Sequence, residues 1–256
     1  TSAEPGIMFW DNVLATTPSD AYASLGFKTV SSNPCGELVL DEKSSCRLLV
    51  VNVLSCVRHP FSADVSFDWS LFGDVVRKAQ RLMDDITDIE LEMIDRILAK
   101  ISADTDPPQV GSVERDLWVG IREKVVAARR TGLGPTAVGD AVAAMGLRYG
   151  TQQSIEFVGE LYRHLAVEAY RSSCQMAAER GPFPAFSHVL EADHPFIQRV
   201  ISQDPDLLVL YRQHGRRNIA LTTTAPAGSV SILTRPTSGI EPVFDLRMER
   251  FKKICD

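Results

Sequence analysis

The sequence predicts a helix-rich α/β fold in which helices cover the outside of a mainly parallel β-sheet. An apolar run with β-branched residues at positions 47–54 fits a buried strand, and a second strand is predicted at 219–224. Between them, apolar residues recur at spacings of three and four, which is typical of amphipathic helices. Because long helical stretches separate the strands, the strands are expected to run parallel. About three or four strands are evident, which is few for a closed barrel.

These elements are expected to form one domain, residues 1–256. The first 45 residues are rich in Gly, Pro, Ser and Thr and show little periodicity. After the first strand, helices are predicted at 67–83 and 91–101, with a break between them and a loop at 102–111 around two prolines. Further helices are predicted at 113–130, 135–147, 152–179, 195–202 and 206–214.

Composition and charge exclude several classes of protein. The chain is 45% hydrophobic and 23% charged, so it has enough apolar residues for a sizeable core. Its net charge of −6 argues against a nucleic-acid partner, because phosphate backbones attract clustered positive charge. No apolar run approaches the roughly 18 residues of a membrane span, and the first residues do not resemble a signal peptide. We therefore expect no membrane partner and a cytoplasmic location.

Any chemistry of the five cysteines is expected to be thiol chemistry. An odd number without a Cys-x-x-Cys pair fits neither a disulfide framework nor a zinc site, so no metal is expected. Cys46 lies eleven residues beyond Cys35, and a returning loop could bring the two sulfurs together as a redox couple. A packing role for Cys46 at the entry of the strand is the alternative. We interpret the other three as structural: Cys56, Cys174 and Cys255.

The segment 31–37 (SSNPCGE) is the most informative in the chain. Pro34 favours an extended Asn33, and alternate side chains of an extended backbone share a face. Asn33, Cys35 and Glu37 would then lie together, and Gly36 would let the backbone approach another group. A thiol, a carboxylate and an amide can exchange hydrogen, accept a proton and hold a hydroxyl group. A turn with an inert cysteine is the alternative interpretation.

The small-residue segment 225–231 (APAGSVS) follows the second predicted strand. A strand, a turn and a helix start would expose backbone N–H groups, which bind phosphate without a basic residue. Thr224, Ser229 and Ser231 would add hydroxyl donors. Because the lysine of a P-loop is missing, an ordinary turn is the alternative. Glu241, in the turn that follows, is expected to be a solvated residue.

Together these segments resemble the large chain of ribonucleotide reductases. Residues 33–37 (NPCGE) are similar to the active-site finger loop of that family, in the form usual for its cobalamin-dependent members. Other segments agree in the family's order and extend the resemblance over nearly the whole chain: 4–9 (EPGIMF), Ser45-Cys46 with Asn52, 130–134 (RTGLG), 180–186 (RGPFPAF), 225–231 and 238–244 (SGIEPVF).

The resemblance implies a role for each matched residue. Cys35 would carry the thiyl radical that removes the 3′ hydrogen, and Glu37 would take the proton of the 3′-hydroxyl. Asn33 would bind the ribose hydroxyls, and Cys46 would belong to the dithiol that supplies electrons as the 2′-hydroxyl leaves as water. The substrate would also be bound by Ser32 and, at its phosphates, by Pro226, Ala227, Gly228, Ser229 and Val230.

The resemblance further implies the fold, the cofactor and the partners. Residues 1–256 would form the C-terminal portion of a ten-stranded α/β barrel, with its finger loop at about 31–46 and its phosphate turn at 225–231. The enzyme would reduce ribonucleoside diphosphates or triphosphates to 2′-deoxyribonucleotides, with adenosylcobalamin as cofactor and an external dithiol such as thioredoxin as reductant. A radical enclosed by a barrel is kept from water.

Two sequence departures from the family's pattern are expected to change packing near Cys46 at most, and neither touches a proposed chemical group. Arg47-Leu48-Leu49 follows Cys46 where Asn-Leu and a small residue are usual, and residues 135–139 (PTAVG) replace a bulkier, methionine-containing stretch. Family members are much longer, so the isolated chain is expected to be inactive. It would need a second polypeptide or the N-terminal half of the barrel, and its open apolar edge would favour partner binding or a homodimer.

The sequence is compatible with three other functions. The first is a reductase whose radical comes from a separate metal-containing protein. The second is a non-catalytic nucleotide-binding or assembly module, or an inactive fragment of the same family, although the presence of Asn33, Cys35 and Glu37 argues against it. The third is a thiol oxidoreductase using Cys35 and Cys46, which leaves Asn33 and the phosphate turn unexplained.

Overall fold

The computed structural model describes residues 6–45, 47–105, 107–243, 245, 247 and 249. The α-helices are α1 (Trp10–Thr16), α2 (Trp69–Ala103), α3 (Pro108–Ala128), α4 (Val138–Ala144), α5 (Gln152–Arg180), α6 (His188–Glu191), α7 (Pro195–Ile201), α8 (Pro205–His214) and α9 (Ser229–Thr234). The strands are β1 (Ser31–Ser32), β2 (Val39–Leu40), β3 (Leu48–Asn52), β4 (Val57–Arg58), β5 (Ser66–Phe67) and β6 (Gly132–Thr136), with 3₁₀ helices at Pro18–Leu25 and Val53–Cys56.

The central sheet is parallel, as predicted. β3 pairs with β6 from Leu48↔Gly132 to Asn52↔Thr136. On the other side of β6, the predicted second strand (residues 219–224) forms a parallel bridge, Leu133↔Thr222, rather than a full ladder. The N–H of Leu133 donates to the carbonyl of Leu221 at 2.8 Å, and that of Thr223 donates to the carbonyl of Leu133 at 2.9 Å. Within the described residues this three-stranded arrangement does not close into a barrel.

Strand β6 was not predicted, because its sequence (GLGPT) contains residues that disfavour strands. Residues 135–147 were predicted to be a helix, which is wrong at the start, since α4 begins only at Val138. All five residues of β6 are buried. A Cβ atom on Gly134 would lie 2.2 Å from the carbonyl oxygen of Thr223, and one on Gly132 would lie 3.0 Å from that of Arg47. Glycine is therefore required where the two flanking segments approach β6.

Helix α2 is continuous over 35 residues, so the predicted break between residues 83 and 91 is wrong. Two of the polar residues that interrupt its apolar spacing, Asp84 and Thr87, are buried. The carboxylate of Asp84 is fully buried, where it accepts hydrogen bonds from Arg129 Nε (2.8 Å), Asn218 Nδ2 (3.0 Å) and Arg217 Nε (3.3 Å). These partners lie far along the chain and cannot be read from local periodicity. The loop predicted at 102–111 is also shorter, because α3 begins at Pro108.

The departure at Arg47 has a structural explanation. Its side chain is buried at the start of β3, where it donates to the carbonyl of Arg130 at 2.6 Å and pairs with Glu90 of α2. The arginine therefore joins three elements beside the finger loop. None of the helices in the described part of the chain combines the length and apolar character needed to cross a membrane.

A second buried ion pair holds the N-terminal segment against the helices. Arg216 and Glu191 have fully buried side chains 2.5 Å apart, and the hydroxyls of Tyr22 and Tyr211 donate to Glu191 at 2.5 and 2.9 Å. Burial raises the pKa of Tyr22 and Tyr211, so both hydroxyls stay protonated and donate. This cluster connects the 3₁₀ helix Pro18–Leu25 to α6 and α8.

We predict that Gly134→Ala destabilises the protein by about 3 kcal/mol, since the new Cβ overlaps a backbone oxygen that the sheet holds in place. Urea unfolding measures the change. The control is Gly159→Ala in α5, where a Cβ would meet nothing within 4 Å and alanine should stabilise the helix by about 0.5–1 kcal/mol. Equal stability of the two variants would contradict the proposed close approach.

We predict that Asp84→Asn costs about 3 kcal/mol, because it removes the buried counter-charge of Arg129 and Arg217 and leaves Arg129 only the exposed Asp88. Burial alone would raise the pKa of Asp84, but the hydrogen bond and charge of Arg129 and the charge of Arg217 outweigh it and lower the pKa. The carboxylate thus stabilises the fold above the unfolded pKa of about 3.9, and this contribution is lost as the pH falls through the lower folded value.

Unfolding curves between neutral and acid pH test this prediction. The variant should lose less stability than the unmodified chain in the acid range. Asp95→Asn is the matched control on the same helix, since Asp95 is exposed and pairs with Arg122 at 2.6 Å. Its substitution should change stability much less. An unchanged free energy of unfolding in Asp84→Asn would rule out the buried ion pair.

Candidate active site

The cysteine loop is the tip of a short hairpin, the finger hairpin (residues 31–40). β1 and β2 pair antiparallel, with Ser31 opposite Leu40 and Ser32 opposite Val39. At the tip, the N–H of Gly36 donates to the carbonyl of Asn33 at 3.0 Å, which closes a β-turn over Pro34 and Cys35. Asn, Pro and Gly suit these turn positions. Gly36 has a φ of +79°, a conformation that glycine adopts without strain.

The turn corrects the prediction of an extended segment with Asn33, Cys35 and Glu37 on one face. The turn hydrogen bond prevails because Asn33-Pro34-x-Gly36 encodes it locally. Cys35 lies exposed at the tip as a free thiol. Glu37 is half-buried behind it, and its Oε2 atom is buried with no hydrogen-bond partner among the described residues. The thiol and the carboxylate thus belong to one short loop in different environments.

The side chain of Asn33 stabilises the loop. Its Oδ1 accepts from the N–H of Leu38 at 3.0 Å, while its backbone N–H donates to the carbonyl of Leu38, also at 3.0 Å. The carbonyl oxygen of this amide is therefore used within the hairpin. Its NH₂ group is the part that could donate to a ligand.

The base of the finger hairpin is held by Arg130, whose role the sequence did not reveal. Its Nη2 lies 2.6 Å from Oδ1 of Asp41, and its Nε donates to Ser44 Oγ at 3.1 Å. Lys124 Nζ lies 3.2 Å from Oδ2 of Asp41, without hydrogen-bond geometry. Asp41 is buried, so this charged contact is shielded from water. An arginine just before β6 was the only available signal.

Thr223 joins the finger hairpin to the sheet and was likewise missed. Its Oγ1 donates to the backbone carbonyl of Glu37 at 2.7 Å. A cleft of about 750 Å³ lies beside this contact, and its lining includes Glu37, Thr224, Tyr162 and Tyr170. The hydroxyls of Tyr162 and Thr224 are 3.0 Å apart, and burial raises the pKa of Tyr162. The cleft thus offers a carboxylate and several hydroxyls between the loop and α5.

The predicted turn and helix start at 225–231 are present, whereas the strand predicted before them forms only one bridge. Gly228 has a φ of +55°, and α9 begins at Ser229, whose side chain is exposed. The same chain segment therefore carries Thr223 beside Glu37 and then leads into the turn. The structure connects the two candidate subsites through backbone rather than through direct side-chain contact.

Several of the backbone N–H groups predicted to bind phosphate already have partners. Ala227 N donates to the carbonyl of Ser238 at 2.6 Å, Gly228 N to its hydroxyl at 3.4 Å, and Val230 N to the carbonyl of Ala227 at 3.1 Å. Pro226 has no N–H. The long Gly228 contact is the weakest of these, so a phosphate oxygen competes most easily there.

The segment behind this turn rests on α4. Asp140 Oδ2 accepts from Thr237 N at 2.6 Å and from Thr237 Oγ1 at 2.9 Å. A Cβ on Gly139 would lie 2.1 Å from the carbonyl oxygen of Glu241. Gly139, in the stretch that departs from the family's pattern, therefore makes room for this segment. Glu241 is exposed, as predicted.

The remaining cysteines differ from Cys35. Cys56 and Cys174 are buried free thiols, and burial raises the pKa of both, that of Cys174 to about 12. A protonated thiol is a poor nucleophile, which agrees with the structural role predicted for these two. Cys46 and Cys255 lie outside the described residues, so the pairing of Cys46 with Cys35 stays a prediction.

Comparisons with known proteins identify a family and relatives for this chain. A profile of the ribonucleotide reductase barrel domain matches residues 1–253. The vitamin B12-dependent ribonucleoside-diphosphate reductase of Mycobacterium tuberculosis (strain CDC 1551 / Oshkosh) is 27% identical over 96% of this chain and 28% of its own length. That of Thermoplasma acidophilum is 25% identical over 97% of this chain and 26% of its own length. The chain therefore spans about a quarter of these relatives.

The fold also has a counterpart among solved structures. The class Id ribonucleotide reductase alpha subunit of Actinobacillus ureae superposes with a TM-score of 0.57 and 18% identity, over 94% of this chain and 37% of that subunit. At this identity the likeness concerns the fold, which is part of the same barrel. Because the barrel-domain profile matches almost every residue, this chain belongs to the ribonucleotide reductase family.

Proposed function

We propose that this chain supplies the finger loop and part of the substrate site of an enzyme that reduces ribonucleotides to 2′-deoxyribonucleotides. The observation that carries the proposal is the finger hairpin, which presents the free thiol of Cys35 at its tip and a Glu37 Oε2 that has no hydrogen-bond partner among the described residues. An exposed thiol can take a hydrogen atom from a ligand, and a carboxylate can accept a proton from it, which are two of the steps that the reaction requires.

Each group has a defined task in this proposal. Cys35, as a thiyl radical, takes the 3′ hydrogen atom of the ribose, and Glu37 accepts the 3′-hydroxyl proton. The 2′-hydroxyl then leaves as water, with two electrons from a dithiol that includes Cys46 and is renewed by an external dithiol such as thioredoxin. The NH₂ group of Asn33 binds a ribose hydroxyl, with Ser32 near the same end of the substrate.

The phosphates of the substrate lie at residues 226–230 in this proposal. The exposed Ser229 and the weakly bonded N–H of Gly228 support it. The M. tuberculosis and T. acidophilum relatives are named ribonucleoside-diphosphate reductases, which favours a diphosphate.

Adenosylcobalamin is the cofactor that we propose, because both relatives are named as vitamin B12-dependent. The exposure of Cys35 fits a large group that must reach the thiol directly. When bound, this cofactor supplies the radical that is passed to Cys35. The chain's own contribution is to hold the thiol at the tip of a stiff loop.

The open sheet supports a requirement for further protein. A radical must be kept from water, yet Cys35 is exposed among the described residues. We propose that residues 1–256 are the C-terminal portion of a catalytic barrel whose remainder lies elsewhere in the protein, in a second polypeptide or in a second copy. A cytoplasmic site of action stays a prediction.

The test is ribonucleotide reduction by the chain combined with the rest of the barrel, adenosylcobalamin and a dithiol. Cys35→Ser should abolish product, and Glu37→Gln should lower turnover roughly 10²-fold, as expected for loss of a general base. The matched controls are Cys56→Ala, which removes a buried thiol outside the loop, and Glu42→Gln, which neutralises an exposed carboxylate beyond the hairpin.

Both controls should retain activity if they fold, which circular dichroism checks. Full activity in Cys35→Ser would disprove the radical role. Nucleotide binding without turnover, in every combination of pieces, would favour a non-catalytic nucleotide-binding module of the same family.

A further inference from the structure

The peptide group between Glu37 and Leu38 is held from both sides. Its carbonyl oxygen accepts from Thr223 Oγ1 at 2.7 Å, and its N–H donates to Asn33 Oδ1 at 3.0 Å. Two hydrogen bonds on opposite edges of one rigid plane fix the orientation of that plane. Since the plane contains the Cα–C bond of Glu37, rotation about that bond is the one backbone freedom left to redirect the side chain relative to this plane.

The two partners of this peptide group differ in origin. Asn33 belongs to the hairpin and moves with it, so its bond stabilises the loop without locating it in the molecule. Thr223 belongs to the sheet: it is only 8% exposed, and its N–H donates to the carbonyl of Leu133 in β6 at 2.9 Å. Its hydroxyl therefore ties the loop to the centre of the fold.

The position of Thr223 depends on Gly134. The carbonyl oxygen of Thr223 lies 2.2 Å from where a Cβ on Gly134 would stand, so the two backbones are in direct contact. This packing leaves Thr223 little freedom to shift. Two residues further along, Ala225 begins the turn that we propose for the phosphates. One stiff segment thus contacts the loop and enters the turn.

The carboxylate of Glu37 needs such support, because Oε2 has no partner among the described residues. The orientation of this carboxylate therefore depends on the backbone of Glu37. We propose that Thr223 is a positioning residue, which aims the Glu37 carboxylate by fixing the Glu37 carbonyl and sets its distance from the turn at 225–231. The catalytic consequence of this role rests on the proposed function.

A merely structural role for Thr223 has a different signature. Buried hydroxyls usually find an acceptor, so the bond could serve only to satisfy Thr223 itself. Removal of the Thr223 hydroxyl would then lower the stability of the fold and affect nucleotide binding and catalysis alike. If Thr223 positions Glu37, loss of its hydroxyl lowers the rate of the chemical step that depends on Glu37 and leaves nucleotide binding at the turn intact.

Two substitutions separate the hydrogen bond from the shape of the side chain. Thr223→Val keeps the branched shape suited to an extended segment and removes the donor. Thr223→Ser keeps the donor and removes the methyl group. Each is made in the complete reductase that contains this chain, alone and together with Glu37→Gln.

We expect Thr223→Val to lower kcat roughly tenfold, as a small misplacement of a reacting group does, with the KM for the nucleotide unchanged within about twofold. Thr223→Ser should restore kcat to within about twofold of the unmodified enzyme. In the Glu37→Gln background, Thr223→Val should have no further effect, because the group that it aims is gone. The proposal is overturned if kcat is unchanged in Thr223→Val, or if it falls equally in both backgrounds.

Hydrogen exchange of the finger hairpin gives a readout that does not depend on turnover. The amide of Leu38 should exchange faster in Thr223→Val than in Thr223→Ser, because only valine frees the peptide group. Equal exchange would overturn the positioning role whatever the activity. An unmodified enzyme without any turnover would refute the proposed function, and the exchange result would still decide whether Thr223 holds the loop.

Discussion

The contact between the backbones of β6 and the segment 219–224 is the constraint on which the rest of the site depends. At Gly134 the two run so close that no side chain fits between them. This contact brings the third parallel strand into the sheet, directs Thr223 towards the finger hairpin and leads the chain into the turn at 225–231. The candidate loop and the candidate phosphate site are therefore held in place by one segment of backbone.

Buried ion pairs connect the helices and loops that surround this sheet. Asp84 forms ion pairs with Arg129 and Arg217, and Arg216 pairs with Glu191. Arg129 is followed directly by Arg130, which holds the base of the finger hairpin. Such pairs contribute little net stability compared with apolar packing, but each fails badly when one partner is lost. They therefore favour a single arrangement of the helices around the loop and against the sheet.

Short motifs predicted what is encoded locally, and they failed where partners are distant in sequence. The turn at 225–231 and helix α5 were predicted, since a small-residue turn and a regular apolar stripe are local signals. The cysteine loop was located by Asn-Pro-Cys-Gly, but its predicted extended conformation was wrong, because these residues encode a turn. β6 was missed because its glycines disfavour a strand locally and are required only by the close approach of the backbones of Arg47 and Thr223. The continuity of α2 was missed because Asp84 meets its arginines only after folding. The bond from Thr223 to Glu37 spans 186 residues and has no local signature.

In the proposed enzyme, Cys35 and Glu37 face the sugar of a ribonucleotide whose phosphates lie at residues 226–230. A crystal or cryo-EM structure of the complete reductase with a bound ribonucleoside diphosphate tests this arrangement. We expect the ribose against the Cys35 thiol and the Glu37 carboxylate, and the phosphates at Gly228 and Ser229, with the Thr223 bond intact. A nucleotide bound away from the finger hairpin, or a Cys35 still facing solvent in the closed barrel, would contradict it.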